Sequence, residues 1–140
     1  MSDTGVVMPL AEARAFAEEI VLDLRPFCDR IEIAGSIRRG EPHVGDVDLV
    51  VIPRSEHRQF DLFGAPVGAP TDLLHEHVAA LLAAGKVEKR RDRSGRTFWG
   101  QRDKRLLWCD GAAVGIPVDV FGALPPPGGA RWRSAPGRWR

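Results

Sequence analysis

The stretch GDVDLVVIP at residues 45–53 limits the folds open to this chain more than any other. It is rich in β-branched residues, follows a glycine and stops at a proline, which predicts a strand from Asp46 to Ile52. Side chains alternate along a strand, so Asp46 and Asp48 share one face while Val47 and Leu49 take the other. Two like charges on one face of a core-bound strand repel unless a cation lies between them. Hard divalent cations such as Mg²⁺ take oxygen ligands, often one or two carboxylates completed by substrate phosphates. A D-x-D alone is more often a solvated strand start, so its neighbours have to decide.

Ten residues earlier the chain reads GSIRRG. Gly35 permits close backbone approach, and Ser36 offers a hydroxyl and caps a brief helix from Ile37 to Gly40. The free N–H groups at that helix start suit an anion. Arg38 and Arg39 lie beside it, and Gly45 stands directly before Asp46. An anion cradle followed by paired carboxylates is the layout needed to hold a nucleoside triphosphate together with its metals. Two-metal phosphoryl transfer also needs a carboxylate beside the attacking hydroxyl. The late strand IPVDVF supplies one, Asp119, between apolar neighbours and able to meet Asp46 and Asp48 from a nearby strand.

The rest of the pattern is that of an α+β domain with one mixed sheet. Leu10, Ala13, Phe16, Ala17, Ile20, Val21 and Leu24 fall at helical spacing from Pro9 to Arg25, ended by Pro26. A strand is expected over Ile31–Ala34, a loop over 53–70, and a helix in LLHEHVAALLAA that Thr71 or Asp72 caps and Gly85 stops. Three strands follow at about 86–91, 96–101 and 105–109, then Ile116–Phe121. His75 and His77 point different ways on their helix and read as surface residues. Of Phe98 and Trp99, which alternate on a strand, one is expected in the core.

With 140 residues the chain is expected to hold one domain, 1–124, and a Pro/Gly/Arg-rich tail, 125–140, expected to be disordered. The net charge of +1 hides a bias: residues 86–105 carry nine Lys/Arg against three acids, and the last ten residues four Arg and no acid. The remainder is therefore acidic. The basic hairpin suits either a polyanionic partner or a charged, protected sheet edge. Cys28 and Cys109 have no paired spacing and are expected as free thiols in a soluble, cytoplasmic protein. No signal peptide or membrane span is predicted. The tail admits two readings, a basic arm stacking Trp132 and Trp139 on bases, or the product of a shifted reading frame.

The elements G-S-I-R-R-G-E, G-D-V-D-L-V-V and V-D-V-F, with LLHEHVAALLAAGKV and TFWGQ between them, resemble the palm, or nucleotidyltransferase domain, of family X DNA polymerases over roughly residues 10–122. The resemblance implies a nucleotidyltransferase fold, with a mixed sheet and its helices packed on one face. It implies that Asp46 and Asp48 bridge two Mg²⁺ ions, which Mn²⁺ can replace, and that Asp119 holds the catalytic ion and the incoming 3′-hydroxyl. Ser36 and Arg39 would grip the β- and γ-phosphates with the Gly35 and Gly45 backbone beside them, and Arg38 would steady the third carboxylate. The implied partners are a nucleoside triphosphate and nucleic acid, DNA before RNA. Neither the DNA-gripping domain nor the thumb of such polymerases is recognised in this sequence. The reading therefore stays open to a minimal nucleotidyltransferase acting on RNA, protein or a small molecule, and to a non-catalytic palm remnant.

Overall fold

A computed structural model describes residues 7–92, 94–97, 99–100, 103–109 and 115–123. The segment 125–140, with Trp132 and Trp139, and the side chain of Phe98 lie outside the described residues. A two-residue strand, β1 (Met8–Pro9), leads into helix α1 (Leu10–Leu24), where Ala13, Ala17, Ile20, Val21 and Leu24 form the buried stripe. Pro26 turns the chain through a 3₁₀ segment, Arg25–Phe27, and β2 (Cys28–Ala34) starts at once, three residues ahead of the expected strand. Next come α2 (Gly35–Arg39), β3 (His43–Val44), which pairs with β1, and β4 (Val47–Pro53). Strands β5 (Ser55–Glu56) and β6 (Thr71–Asp72) pair with each other and close the base of what sequence alone reads as an open loop. Helix α3 (Leu73–Ala83) is capped by Asp72, whose carboxylate accepts the His75 N–H at 2.9 Å. It ends before Gly85, at φ +77°. Strands β7 (Val87–Lys89), β8 (Asp103–Trp108) and β9 (Ile116–Gly122) complete the described elements.

The main sheet runs β2-β4-β9-β8-β7. Only the β4–β9 pair is parallel, and α3 with the β7–β8 hairpin forms the crossover such a pair requires. Alternation sorts the sheet into two faces. Val47, Leu49 and Val51 of β4, Val118 and Val120 of β9 and Leu106 of β8 join one apolar cluster with Ala13, Ala17 and Ile20 of α1 and Leu74, Val78 and Leu81 of α3. Both long helices therefore cover this face, as expected of an α+β palm. The opposite face carries Asp48, Val50, Asp119 and Phe121.

The middle strand expected at 96–101 is not a ladder. Among the described residues it makes only single bridges, Arg91 to Thr97 and Trp99 to Lys104. Side chains tie this hairpin instead. Asp92 accepts from the Ser94 and Arg96 N–H groups at 2.8 and 3.0 Å, and the buried Lys104 donates to the Gly100 carbonyl at 2.5 Å beneath Trp99. The two histidines are packed rather than free on the surface. His77 stacks on Phe27 at 4.0 Å and reaches Asp23 at 3.1 Å, joining α3 to α1, while His75 leans on Trp99 at 5.5 Å. Trp99 packs half-buried against the core, and Cys28 and Cys109 are both free thiols. Among the described residues no helix is long and apolar enough to cross a membrane.

Candidate active site

Strand register builds the site. Ala34 of β2 pairs with Asp48 of β4, Asp48 with Asp119 of β9, and Asp119 with Arg105 of β8, so one row of residues crosses four strands. Because β4 and β9 run parallel and in register, the two aspartates stand side by side on the face away from the helices. Asp46 lies just before the ladder, in the bend that Gly45 opens between β3 and β4, rather than inside the strand. Its carboxylate still joins the others: Asp46, Asp48 and Asp119 each offer an oxygen, and all three lie within 4.8 Å of one another. The three aspartates singled out in the sequence are thus brought together.

Electrostatics show the cost of that arrangement. Burial, then the charges of Asp46 and Asp119, pushes the Asp48 carboxyl up to about 7. Burial pushes Asp119 up to about 6, with Arg90 pulling it back. A carboxyl leaves its ordinary range by this much where its charged form is poorly solvated and faces like charge. An oxygen-only donor set held under such repulsion is the kind of site a hard divalent cation relieves.

Gly35 explains how closely the backbone packs over these charges. Its φ is +62°, and a Cβ placed there would fall 2.0 Å from the Asp48 Oδ2. Only glycine fits, for conformational and steric reasons together. Ser36 does not cap α2: the residue before the helix is Ala34, in extended conformation and with no side-chain cap, and Ser36 is already helical. Its Oγ instead accepts from the Arg39 Nη2 at 3.3 Å, and the same nitrogen donates to Glu41 at 3.3 Å. Hydrogen bonding to Ser36 and the charge of Arg39 hold the Glu41 carboxyl below its usual range. Arg39 is thus aimed at anionic oxygen beside the carboxylates. A cavity of about 270 Å³ opens there, lined by Gly35, Arg39, Asp48, Val50 and Phe121 among others.

The arginine expected beside the third carboxylate is a different one. Arg38 lies 3.8 Å from Glu32 on β2. The guanidinium on Asp119 belongs to Arg90, just past β7, which donates to Oδ1 at 2.5 Å with both residues buried. Its backbone N–H reaches the Arg105 carbonyl at 2.9 Å, which carries the hairpin edge up to the site. From sequence, Arg90 is one of nine basic residues in the hairpin. Only the β7–β8–β9 register singles it out. Phe121 was missed for a similar reason, as it reads as an ordinary apolar strand residue until the open face is known.

Comparison with known proteins follows the same outline. The chain matches the DNA polymerase beta palm family over residues 7–103, a span that includes Gly35, Asp46 and Asp48 and stops short of Asp119. No curated protein matches it in sequence. Among solved structures it is similar to Leishmania infantum polymerase beta in a ternary P/T complex, with TM-score 0.52 and 20% identity, covering 86% of this chain and 44% of that one. The ternary gap complex of the same polymerase gives the same TM-score and identity, with 39% of its chain covered. The chain therefore spans less than half the length of these neighbours, which share its fold. The match over more than two thirds of its residues shows that the chain belongs to the DNA polymerase beta palm family.

Proposed function

We propose that this chain is a divalent-metal-dependent nucleotidyltransferase. It moves a nucleoside monophosphate from a nucleoside triphosphate to a hydroxyl, with a DNA 3′ end as acceptor, and releases pyrophosphate. The observation that carries this reading is the convergence of Asp46, Asp48 and Asp119 within 4.8 Å on a sheet face turned away from both long helices. The donor set fits the metal: three carboxylates and no sulfur or imidazole favour Mg²⁺, or Mn²⁺ in its place, over zinc. Two such ions, when bound, supply charge neutralisation for an attacking and a leaving oxygen.

The chain's own residues do the holding. Asp46 and Asp48 would hold the ions, and Asp119 would hold a cation on the side of the attacking hydroxyl. Arg90 orients the Asp119 carboxylate and offsets part of its burial, and a carboxylate has lone pairs enough for a guanidinium and a cation together. Ser36 and Arg39 bind the outer phosphates, with the Gly35 and Gly45 backbone close beside them. The cavity walled by Val50 and Phe121 takes part of the nucleoside. In the transfer the hydroxyl gives up its proton to solvent, its oxygen bonds to the α-phosphorus, the bond from that phosphorus to the bridging oxygen breaks, and pyrophosphate leaves. Positioning and preset charge account for most of the acceleration.

The test is transfer from α-labelled dNTPs and NTPs, with Mg²⁺ or Mn²⁺, to gapped DNA, single-stranded DNA, RNA and the protein itself, with Asp48→Ala as control. Labelled gapped DNA that the control abolishes is the expected result. Labelling of RNA or protein alone would move the acceptor while keeping the chemistry. Triphosphate binding with no labelling of any acceptor would contradict the enzyme reading and leave a nucleotide-binding palm.

A further inference from the structure

Among the described residues, the loop between β5 and β6 is the least ordinary surface. Every residue from 58 to 70 is exposed, and four of them are large and apolar: Phe60 at 57%, Leu62 at 100%, Phe63 at 95% and Val67 at 44% exposure. Their backbone is tied down from within. The Asp61 carboxylate accepts the Phe63 and Ala65 N–H groups at 2.9 Å each, the Asp61 N–H reaches the Ala65 carbonyl at 2.9 Å, and Val67 closes back on Gln59 at 2.8 Å. Gly64 turns the tip at φ +81°. At the base, Arg58 forms a two-pronged pair with Glu76 of α3 at 2.8 and 2.9 Å. A long loop that uses its polar groups to hold apolar side chains outward is a contact element, since single exposed apolar residues are ordinary but a built cluster is not.

We propose that residues 59–63, Gln-Phe-Asp-Leu-Phe, are a docking peptide for a protein with an apolar cleft, and that this protein is a ring-shaped clamp encircling DNA. Leu62 and Phe63 enter the cleft, and the Gln59 carboxamide bonds to its polar rim. Charge selects the occupant. Residues 59–70 carry no Lys or Arg and a single acid, Asp61, whose carboxylate is engaged within the loop. Nothing there attracts a phosphate backbone or an anionic lipid surface, both of which are met by basic side chains. A protruding, uncharged tip with adjacent aliphatic and aromatic anchors fits a protein pocket. Membership of a polymerase palm family points to a partner that works on the same duplex, and placement allows it. The loop leaves β4 at Pro53, five residues and so about 17 Å along the strand from Asp48. A clamp held there leaves the carboxylate end open to a primer terminus. The inference rests on membership of a polymerase palm family and on the loop, and does not depend on catalysis.

The test is binding of the whole chain to the source organism's DNA clamp, by calorimetry without nucleotide or metal, for wild type, the double variant Leu62→Ala/Phe63→Ala, and Gln59→Ala. A micromolar wild-type complex that weakens by about tenfold or more in the double variant, and less in Gln59→Ala, with unchanged circular dichroism and melting, is the expected result. No binding of the clamp, or binding that the double variant leaves intact, overturns the proposal. So does a wild-type dimer that the double variant dissolves, because the tip would then serve a second copy of this chain. Tip-dependent binding to duplex DNA or to anionic vesicles in place of the clamp overturns it as well.

Discussion

At its first turn of side chains β4 draws Asp48 into a half-buried position between Gly35, Asp46 and Asp119, while the loop that leaves its last residue holds Leu62 and Phe63 almost wholly in solvent. One end keeps charge where apolar groups belong, and the other keeps apolar groups where charge belongs. Between them Leu49 and Val51 behave as core residues should, at 0% and 1% exposure. The contrast separates what holds the fold from what the fold is for. The centre of the strand supplies burial, and its ends carry groups that burial alone would reject.

The largest effect expected at the carboxylate end is on transfer. Asp48→Asn should reduce nucleotide transfer by roughly a thousandfold or more, since the carboxylates act as a unit, while the metal-free protein melts no lower than wild type. A variant that loses activity only because it unfolds would erase the contrast between the ends. In the middle of the strand, Leu49→Ala should cost about 2–5 kcal/mol in urea unfolding, the range for truncating a buried leucine.

Gly35→Ala is next. Its Cβ meets the Asp48 carboxylate at a backbone angle that L-residues rarely adopt. A loss of about 1–3 kcal/mol is expected, together with loss of triphosphate binding in a fluorescence titration. Unchanged binding would show that the close approach of Gly35 to Asp48 is incidental.

Stability against pH gives a smaller and signed effect. Asp48 stands at about 7 and Asp119 at about 6, both above an ordinary value of 3.8. A carboxyl raised on folding contributes stability below its unfolded value and loses it as pH rises through the folded one. Thermal melts of the metal-free chain should therefore fall between about pH 4 and pH 7 from this contribution. Mg²⁺ should restore stability at the upper end, where the carboxylates are ionised. A melt that Asp48→Asn leaves with the same pH slope would contradict it. The smallest effect lies at the other end of the strand: Leu62→Ala/Phe63→Ala should shift unfolding by no more than about 0.5 kcal/mol, because neither side chain gives up burial.

Sequence reading reached the parts of this molecule that depend on local pattern. Helical spacing located α1, the proline and glycine boundaries located α3 and β4, and alternation placed Asp48 on the face opposite Leu49, while Asp46 joins it from the bend before the strand. Asp119 was legible because a charge in an apolar strand is out of place. The failures depend on contacts that residue pattern does not carry. Which of nine basic residues meets Asp119 is decided by how β7, β8 and β9 align, and no local pattern separates Arg90 from Arg91. The Ser36 cap was misjudged because α2 begins two residues earlier than expected, on Gly35, whose backbone Asp48 crowds. The strand at 96–101 was over-read because Asp92 and Lys104 tie that hairpin through side chains, a device with no period to detect.

The most direct measurement of the account's central claim is Mn²⁺ binding followed by electron paramagnetic resonance, with a non-hydrolysable nucleoside triphosphate present, in wild type and in Asp48→Asn. If Asp46, Asp48 and Asp119 form the metal centre, the wild-type protein should bind Mn²⁺ more tightly than the nucleotide alone does, more strongly at pH 8 than at pH 5.5, and Asp48→Asn should lose that binding. Equal binding in the two proteins, or none beyond the free nucleotide, would contradict it.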